Sequence, residues 1–465
     1  MVNMKPFLPL LPLLAVLTAL VSCQPGNSAE TISDDAYVFS NVNIVDVRNG
    51  DIKQGHVVID SMKIDRILDL ETEINFGEAT LIDGTDKYLI PGLAEMHAHI
   101  PSLPWDDPKI EETLFLYLSN GITTIRGMLG HPHHLELREK ANAQEILSPR
   151  IYTSSPSISG GTIKSPEDAR DKIPVYADEG YDFLKIHPGL QPEVFDEVVK
   201  TANEAGIDFA GHVSSLVGVR KAMESGYATI DHIDAFLEGL VPASANVDPT
   251  QNGFFGYNFT DLADTSQIDE LVEMSKTHQV WVVPTQSLFD RWFSPIPAET
   301  LAAEEEMQYM DPGTMENWIK SKKNLTSGSN YDSATWAKFN NIRFQFLRRL
   351  QDEGQGLLLG SDAPQVFNVP GFSIHHEIDG MVRAGLTPLE IIQTGTINPA
   401  EFFGGAYGEV KEGLEADLIL LDENPLDNVG NLRSPVGVMA RGQWMDRTEI
   451  DNKLKEISQK YSSDQ

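Results

Sequence analysis

Residues 89–99 read LIPGLAEMHAH, an apolar run that closes on two histidines, His97 and His99. On a strand, residues two apart point to the same side, so both imidazoles face one space. Working outward, seven more short apolar runs follow: ITTIRG (122–127), PRIYTSS (149–155), YDFLKIH (181–187), IDFAGHV (207–213), YATIDHI (227–233), VWVVPT (280–285) and GLLLGSD (356–362). Segments such as EVFDEVVKTANEAG (193–206) and SLVGVRKAMESG (215–226) lie between them and carry apolar residues at helical spacing. Eight strand-helix units over about 300 residues suit a (β/α)₈ TIM barrel, whereas open doubly wound sheets usually have about five or six strands. The fold class expected is α/β, with the barrel over 89–403.

Flanking segments read differently. AYVFSNVNIVDV (36–47), HVVIDSMKIDRIL (56–68) and ATLIDGTDKYLI (79–90) are β-rich between turn signals, and EADLILLDENP (415–425) and PVGVMARGQWMD (435–446) repeat that character late in the chain. A small β-sandwich domain built from both chain ends, 36–88 and 404–447, is expected, with 448–465 as a C-terminal tail. Two long insertions follow strand runs six and seven, at about 233–264 and 286–333. Their Phe254, Phe255, Tyr257, Phe289, Trp292, Phe293 and Trp318 would line a pocket or pack on the barrel rim.

With 465 residues the chain can bury a large core, and its 69 acidic against 35 basic residues give a net charge of −34. The acidic residues are spread along the chain, so they read as a solvated surface favouring solubility, and nucleic acid is excluded as a partner because phosphate binding needs clustered Lys and Arg. No Gly-rich phosphate loop opens a helix, which argues against nucleotide enzymes.

The start, MVNMKPFLPLLPLLAVLTALVSC (1–23), has one early Lys5, an apolar run and small residues before Cys23. It reads as a signal peptide over 1–22 followed by a lipidated Cys23 and a linker over 23–35. Leu20-Val21-Ser22-Cys23 resembles the lipobox of bacterial lipoproteins, Cys23 is the sole cysteine, and Gln24 after it resembles the pattern sorted to the outer membrane. Export with a lipid anchor facing the periplasm is the expected localisation. Membrane contact would be through that anchor alone, and a homo-oligomer is left open.

Chemistry-bearing side chains gather at the C-terminal ends of the strand runs, where barrels place catalysis. His97 and His99 end the first run, Lys185 lies in the fourth, His212 ends the fifth, His232 the sixth and Asp362 the eighth. Imidazoles and a carboxylate suit Zn²⁺, Mn²⁺ or Co²⁺, while Lys in its usual state does not. Taken singly, each has an ordinary reading as a core histidine, a solvated lysine or a turn. His187, two residues after Lys185, reads as a pocket wall or a substrate contact. His375 and His376 in GFSIHHEIDG (371–380) read as substrate contacts or a helix start, and His131, His133 and His134 in GHPHHLE (130–136) as a polar loop.

The PGLAEMHAH segment, the lysine of YDFLKIH, the histidines of AGHV and IDHI, the aspartate of GSDAP, and TINPAEFFGGAYGEVKEGLEADLILLDENPL (396–426) together resemble the metal-dependent amidohydrolase superfamily, in its imidazolonepropionase-related and prolidase-like branch. The resemblance implies two divalent metal ions, of which Zn²⁺ is the first expectation and Mn²⁺ or Co²⁺ the others. It assigns His97, His99 and Asp362 to the more buried ion, His212 and His232 to the more exposed one, and a CO₂-derived carbamate on Lys185 to both. It further implies a bridging hydroxide as nucleophile and Asp362 as the catalytic proton carrier. The substrate expected is a small-molecule amide, a dipeptide such as Xaa-Pro or an N-acyl amino acid. Cyclic amides, lactones and phosphotriesters are the alternatives for the same site, and a metal-free binding homologue is a third reading.

Overall fold

In the computed structural model the described residues are 30–328 and 330–462; the signal peptide over 1–22 and Cys23 lie outside them. The first strand, Leu93–Ala98, runs parallel to Ile122–Gly127, which in turn pairs with Arg150–Thr153. Four more parallel strands follow in chain order: Leu184–Ile186, Phe209–Gly211, Thr229–Asp231 and Trp281–Val283. Parallel bridges Ser154–Phe183 and Ile158–Ile186 join the two groups, Val282–Leu357 adds the eighth apolar run, and Ala98–Ala363 sets that run beside the first strand. The result is a curled parallel sheet with helices along its outer side.

The helices form where the sequence signals them. Pro166–Asp178 starts with a Ser165–Asp168 capping box, which satisfies end amides reciprocally. Pro192–Ala205 buries Val194, Phe195, Val198, Thr201 and Ala202, one helical stripe, and stops at Gly206 with φ 68°. Ser333–Glu353, after the second insertion, buries Phe339, Ile342, Arg343, Phe346, Leu347 and Leu350 on one face. Both expected insertions are present as runs of short helices, including Phe254–Leu262 in the first and Pro312–Thr326 in the second.

Strands from the two chain ends form one hydrogen-bonded eight-stranded sheet where the sequence suggested a sandwich. Leu418–Leu421 pairs antiparallel with Tyr88–Pro91, so the late segment joins the early one. All four residues of Leu418–Leu421 are buried because alternate side chains serve two cores. Leu418 and Leu420 pack with Phe39, Val57 and Ile64 inside this sheet, while Ile419 and Leu421 pack into the main core. Arg150 of the parallel sheet ties to Asp417 at 2.9 Å.

Within the segment read as a tail, 448–465, the described residues 448–462 form all but the first residue of a helix, Arg447–Ser462. Its Ile450, Leu454 and Ile457 recur at helical spacing and pack against Phe115, Leu116 and Leu118 of the helix Pro108–Ser119. Lys453 also pairs with Glu111 at 2.7 Å. Ile450→Ala should therefore cost about 2–5 kcal/mol, the usual range for emptying a buried aliphatic site. Urea unfolding would measure it, and an unchanged midpoint would show that this helix contributes nothing to the core.

Candidate metal centre

Parallel strands end at one rim, and the ladder fixes which side chains point inward there. His97 and Asp362 come from neighbouring strands, and His97 Nε2 lies 3.5 Å from Asp362 Oδ1. His99 Nε2 lies 2.7 Å from the same oxygen. Ligand atoms of His97, His99 and Asp362 all fall within 4.8 Å of one another, a cluster able to hold a metal ion. His232 stands next to them, its ring centroid 4.5 Å from that of His97, and His212 follows at 4.5 Å from His232. The six side chains read from the sequence are thus brought to one place, with Lys185 fully buried beneath them and 3.6 Å from Asp231 Oδ2.

The lysine reaches this position because Gly211, on the adjacent strand, leaves room. A Cβ at Gly211 would meet Lys185 Cδ at 2.9 Å and the Ile186 carbonyl at 2.5 Å, and φ is +121° there. Three buried atoms in the centre have no hydrogen-bond partner: Lys185 Nζ, His97 Nδ1 and Asp231 Oδ2. His97 Nδ1 and Asp231 Oδ2 are 2.9 Å apart but out of hydrogen-bonding alignment. Buried polar atoms are seldom left so, and a cluster of them beside convergent imidazoles fits a cation.

Electrostatics favour ligating forms. Burial, then the nearby Lys185 charge, holds His212 down to about 3 and His97 well below its ordinary value. Burial, then His212 and His97, does the same to His232. These imidazoles are neutral near pH 7 and keep lone pairs for a metal. Burial also lowers Lys185, although Asp231 and Asp362 pull the other way, so the amine is eased toward its neutral state.

Other residues aim the ligands. Asp234 Oδ2 takes His212 Nδ1 at 3.0 Å and Thr285 Oγ1 takes His232 Nδ1 at 2.8 Å, contacts that fix each ring. Glu95 accepts from the His97 amide at 3.0 Å and the Ser361 amide at 2.7 Å, bracing the backbone on both sides of the His97–Asp362 contact. Burial pushes Glu95 up to about 8 and Asp234 up to about 7. His232, Thr285 and Asp362 all have positive φ, at 66°, 46° and 64°. Such conformations cost about 1–3 kcal/mol each and persist only where surroundings over-determine them.

Arg343 supplies much of that restraint. Fully buried on the helix Ser333–Glu353, it donates to the His232 carbonyl at 2.7 Å, the Pro284 carbonyl at 3.0 Å and Gln286 Oε1 at 2.9 Å. Its guanidinium lies 3.4 Å from the Phe289 ring centroid. Glu95, Asp231, Asp234 and Arg343 were not singled out from the sequence. Glu95 was within reach, since it shares strand parity with His97 and His99; Arg343 sits amid a helical stripe with no local mark of its role.

The remaining sequence candidates separate. His187 is at the centre's edge, stacked on His212 at 5.2 Å, with Nδ1 2.9 Å from Ser157 Oγ. His375 is buried and bonded to Asn120 Oδ1 at 3.1 Å, and His376 meets Glu306 at 2.7 Å. His131, expected in a loop, caps the helix Pro132–Asn142, and His133 and His134 lie in its first turn.

A profile described as the amidohydrolase family matches residues 88–445. The chain is 32% identical over 120 residues to ochratoxinase of Aspergillus niger, a match spanning 24% of each protein. The chain therefore aligns with only about a quarter of that curated relative's length. Among solved structures it is similar to a bottromycin amidohydrolase, with TM-score 0.70 and 21% identity over 92% of this chain and 90% of that one. It is also similar to a putative prolidase from Bifidobacterium longum, with TM-score 0.63 and 24% identity over 91% and 99%. At these identities the structural likenesses speak to the fold.

Arg343→Met should leave the helical content in place yet weaken metal binding by about 10–100-fold, the usual cost of losing a residue that orients a ligand. Titration of the metal-stripped protein with Zn²⁺ checks this; wild-type affinity in the variant would show that His232 needs no such brace.

Proposed function

The chain belongs to the amidohydrolase family, and on that premise we propose that it hydrolyses the amide bond of an N-acyl amino acid or a dipeptide such as Xaa-Pro with two divalent metal ions. The family assignment supports a hydrolase acting on amide carbon–nitrogen bonds; the bond cleaved, the substrate and the number of metals are our reading. The observation that carries it is Lys185, buried among four histidines and Asp362 with no hydrogen bond to Nζ and only the 3.6 Å approach of Asp231 to offset its charge. An ammonium in that place repels cations and pays a desolvation cost with no hydrogen bond in return. A carbamate, formed when the neutral amine attacks CO₂ and loses a proton, replaces that charge with two anionic oxygens.

In this reading His97, His99 and Asp362 would hold one ion and His212 and His232 the other, with carboxylated Lys185 contributing to both. When bound, such ions polarise a carbonyl and lower the pKa of water so that a nucleophile is available near neutral pH. The chain's own residues handle the rest. Asp362 lies at the junction of His97, His99 and His232, where its carboxylate can accept the proton of the attacking water and return it to the leaving amine nitrogen. His187, whose Nδ1 engages Ser157, is placed to offer Nε2 to a substrate oxygen. His375 and His376, committed to Asn120 and Glu306, are less suited to that task.

We also propose that the curled sheet closes as a (β/α)₈ barrel, which the Val282–Leu357 and Ala98–Ala363 bridges support. Zn²⁺ is the metal we expect first, because imidazole and carboxylate donors suit it. Stripping with a chelator should abolish hydrolysis, and Zn²⁺, Mn²⁺ or Co²⁺ should restore it on dipeptides and N-acyl amino acids. Lys185→Ala should lose metal loading and lower kcat/KM by about 10³-fold or more, comparable with removal of other catalytic essentials. Restored activity confined to lactones or phosphotriesters would overturn the amide reading, and a fully active Lys185→Ala would overturn the bridging role.

Export and anchoring through lipidated Cys23 are likewise proposed, on the lipobox-like Leu20-Val21-Ser22-Cys23. Cys23→Ser should move the protein from the membrane fraction to the soluble one or leave its leader unprocessed. Unchanged membrane attachment would refute the anchor.

A further inference from the structure

We propose that Phe255 is the specificity-determining residue of this site and selects amides carrying a flat apolar group next to the scissile bond; the inference rests on the amide-hydrolase reading above. Phe255 belongs to the insertion after the sixth parallel strand, and its ring stands directly against two of the histidines. The centroid separations are 5.8 Å to His212 and 5.4 Å to His232. The ring is half-buried, and His99 and His212 of the centre are also partly exposed.

The backbone around Phe255 is shaped to put it there. Phe255 has φ 49° and ψ 47°, a left-handed conformation that an aromatic residue adopts only under constraint. Gly256 beside it has φ 83°, and a Cβ on it would meet Glu238 Oε2 at 2.6 Å, so the chain passes tightly over Glu238. Phe254 packs on Phe293 at 4.7 Å and Trp292 at 5.5 Å. Phe255 meets the same cluster through Phe254 at 4.8 Å and Phe289 at 5.0 Å, and alone of the two also meets the histidines. Phe254 anchors the insertion in an aromatic cluster, and Phe255 is held in a strained turn over the imidazoles.

An aromatic face so placed does no acid–base chemistry and offers no ligand atom. What it offers is apolar area and a quadrupole, which reward a planar apolar group laid against it more than a methyl, whose contact area is smaller. His212 also has a polar neighbour, His187, stacked on it at 5.2 Å. His212 is therefore bordered by one polar and one apolar ring, a pairing suited to an amide with a carbonyl on one side of a flat apolar body.

The test uses the zinc-loaded full chain with three amides: N-acetylglycine, which lacks a ring, N-acetyl-L-phenylalanine, with a ring on the amine side, and N-benzoylglycine, with a ring on the acyl side. Wild type should prefer at least one ring-bearing amide over N-acetylglycine by about ten- to a hundredfold in kcat/KM, the effect of one buried aromatic contact. In Phe255→Ala that ratio should fall toward one, mainly through KM, with metal content retained because Phe255 holds no ligand. Phe255→Tyr should keep the preference and Phe255→Leu part of it, which separates loss of the face from loss of the fold. Wild type lacking a ring preference, or variants in which the ratio persists or metal is lost, would overturn the proposal. Calorimetric binding of the two ring-bearing amides to metal-free protein gives a second readout. Wild type should bind at least one of them about tenfold tighter than Phe255→Ala. If binding differs so while loaded wild type cleaves none of the three, the aromatic wall stands and the amide-hydrolase reading falls; equal binding removes the wall.

Discussion

A primary amine enclosed among imidazoles and carboxylates, with no hydrogen-bond partner, is the constraint on which the rest of this molecule depends. Lys185 Nζ is such a group. Leaving a buried donor unmade costs about 1–3 kcal/mol for a neutral group and more for a charged one, so the surroundings must either neutralise the amine or give it something to bind. They are built around it: Gly211 opens the passage for its side chain, Asp231 comes within 3.6 Å, and His212, His97 and His232 converge above. A lysine placed for stability alone would not be surrounded by groups whose common property is metal ligation.

Holding those groups needs restraint from well outside the centre. His232, Thr285 and Asp362 sit at positive φ where the parallel strands end; the amides of His232 and Asp362 still bond to the Val283 and His97 carbonyls at 2.7 and 3.0 Å, but the regular strand conformation is lost there. Different parts of the chain take over. Glu95 grips the backbone of His97 and Ser361, while Arg343 reaches from a helix about 110 residues later in sequence to bond the His232 carbonyl. Burying Arg343 is itself costly, and burial lowers its guanidinium to about 9, against the pull of Glu377 and Asp290. A buried charge satisfied by three acceptors is a rigid joint, since each bond lost exposes the cost of the charge.

The sequence is legible where a rule ties residue type to position. The parallel strands and the convergence of His97, His99, Lys185, His212, His232 and Asp362 follow from apolar runs ending in polar residues, since strand parity and the rim of a parallel sheet do the rest. The C-terminal helix carried its own signal in Ile450, Leu454 and Ile457, spaced for one face. What stayed hidden depends on tertiary neighbours. Nothing local distinguishes Arg343 from a solvated arginine, and the committed partners of His375 and His376, Asn120 and Glu306, lie 255 and 70 residues away. Two sheets or one could not be told apart either, because Leu418–Leu421 packs on both faces and alternation disappears.

The same distinction separates chemistry from selectivity. Ligands at strand ends are placed by backbone hydrogen bonds that any sequence can make, so their geometry follows from the fold. Phe254, Phe255 and Trp292 are placed by ring-on-ring packing within the insertions and by one strained turn. Packing of that kind depends on the particular side chains, and a change there re-aims a ring without moving a strand. A site assembled in this way can keep one set of bond-breaking residues while its insertions are altered, because the two are stabilised by different forces. Arg343 marks where they meet: it stacks on Phe289 of the insertion and bonds the carbonyl of His232, so the insertion and a proposed ligand share one support.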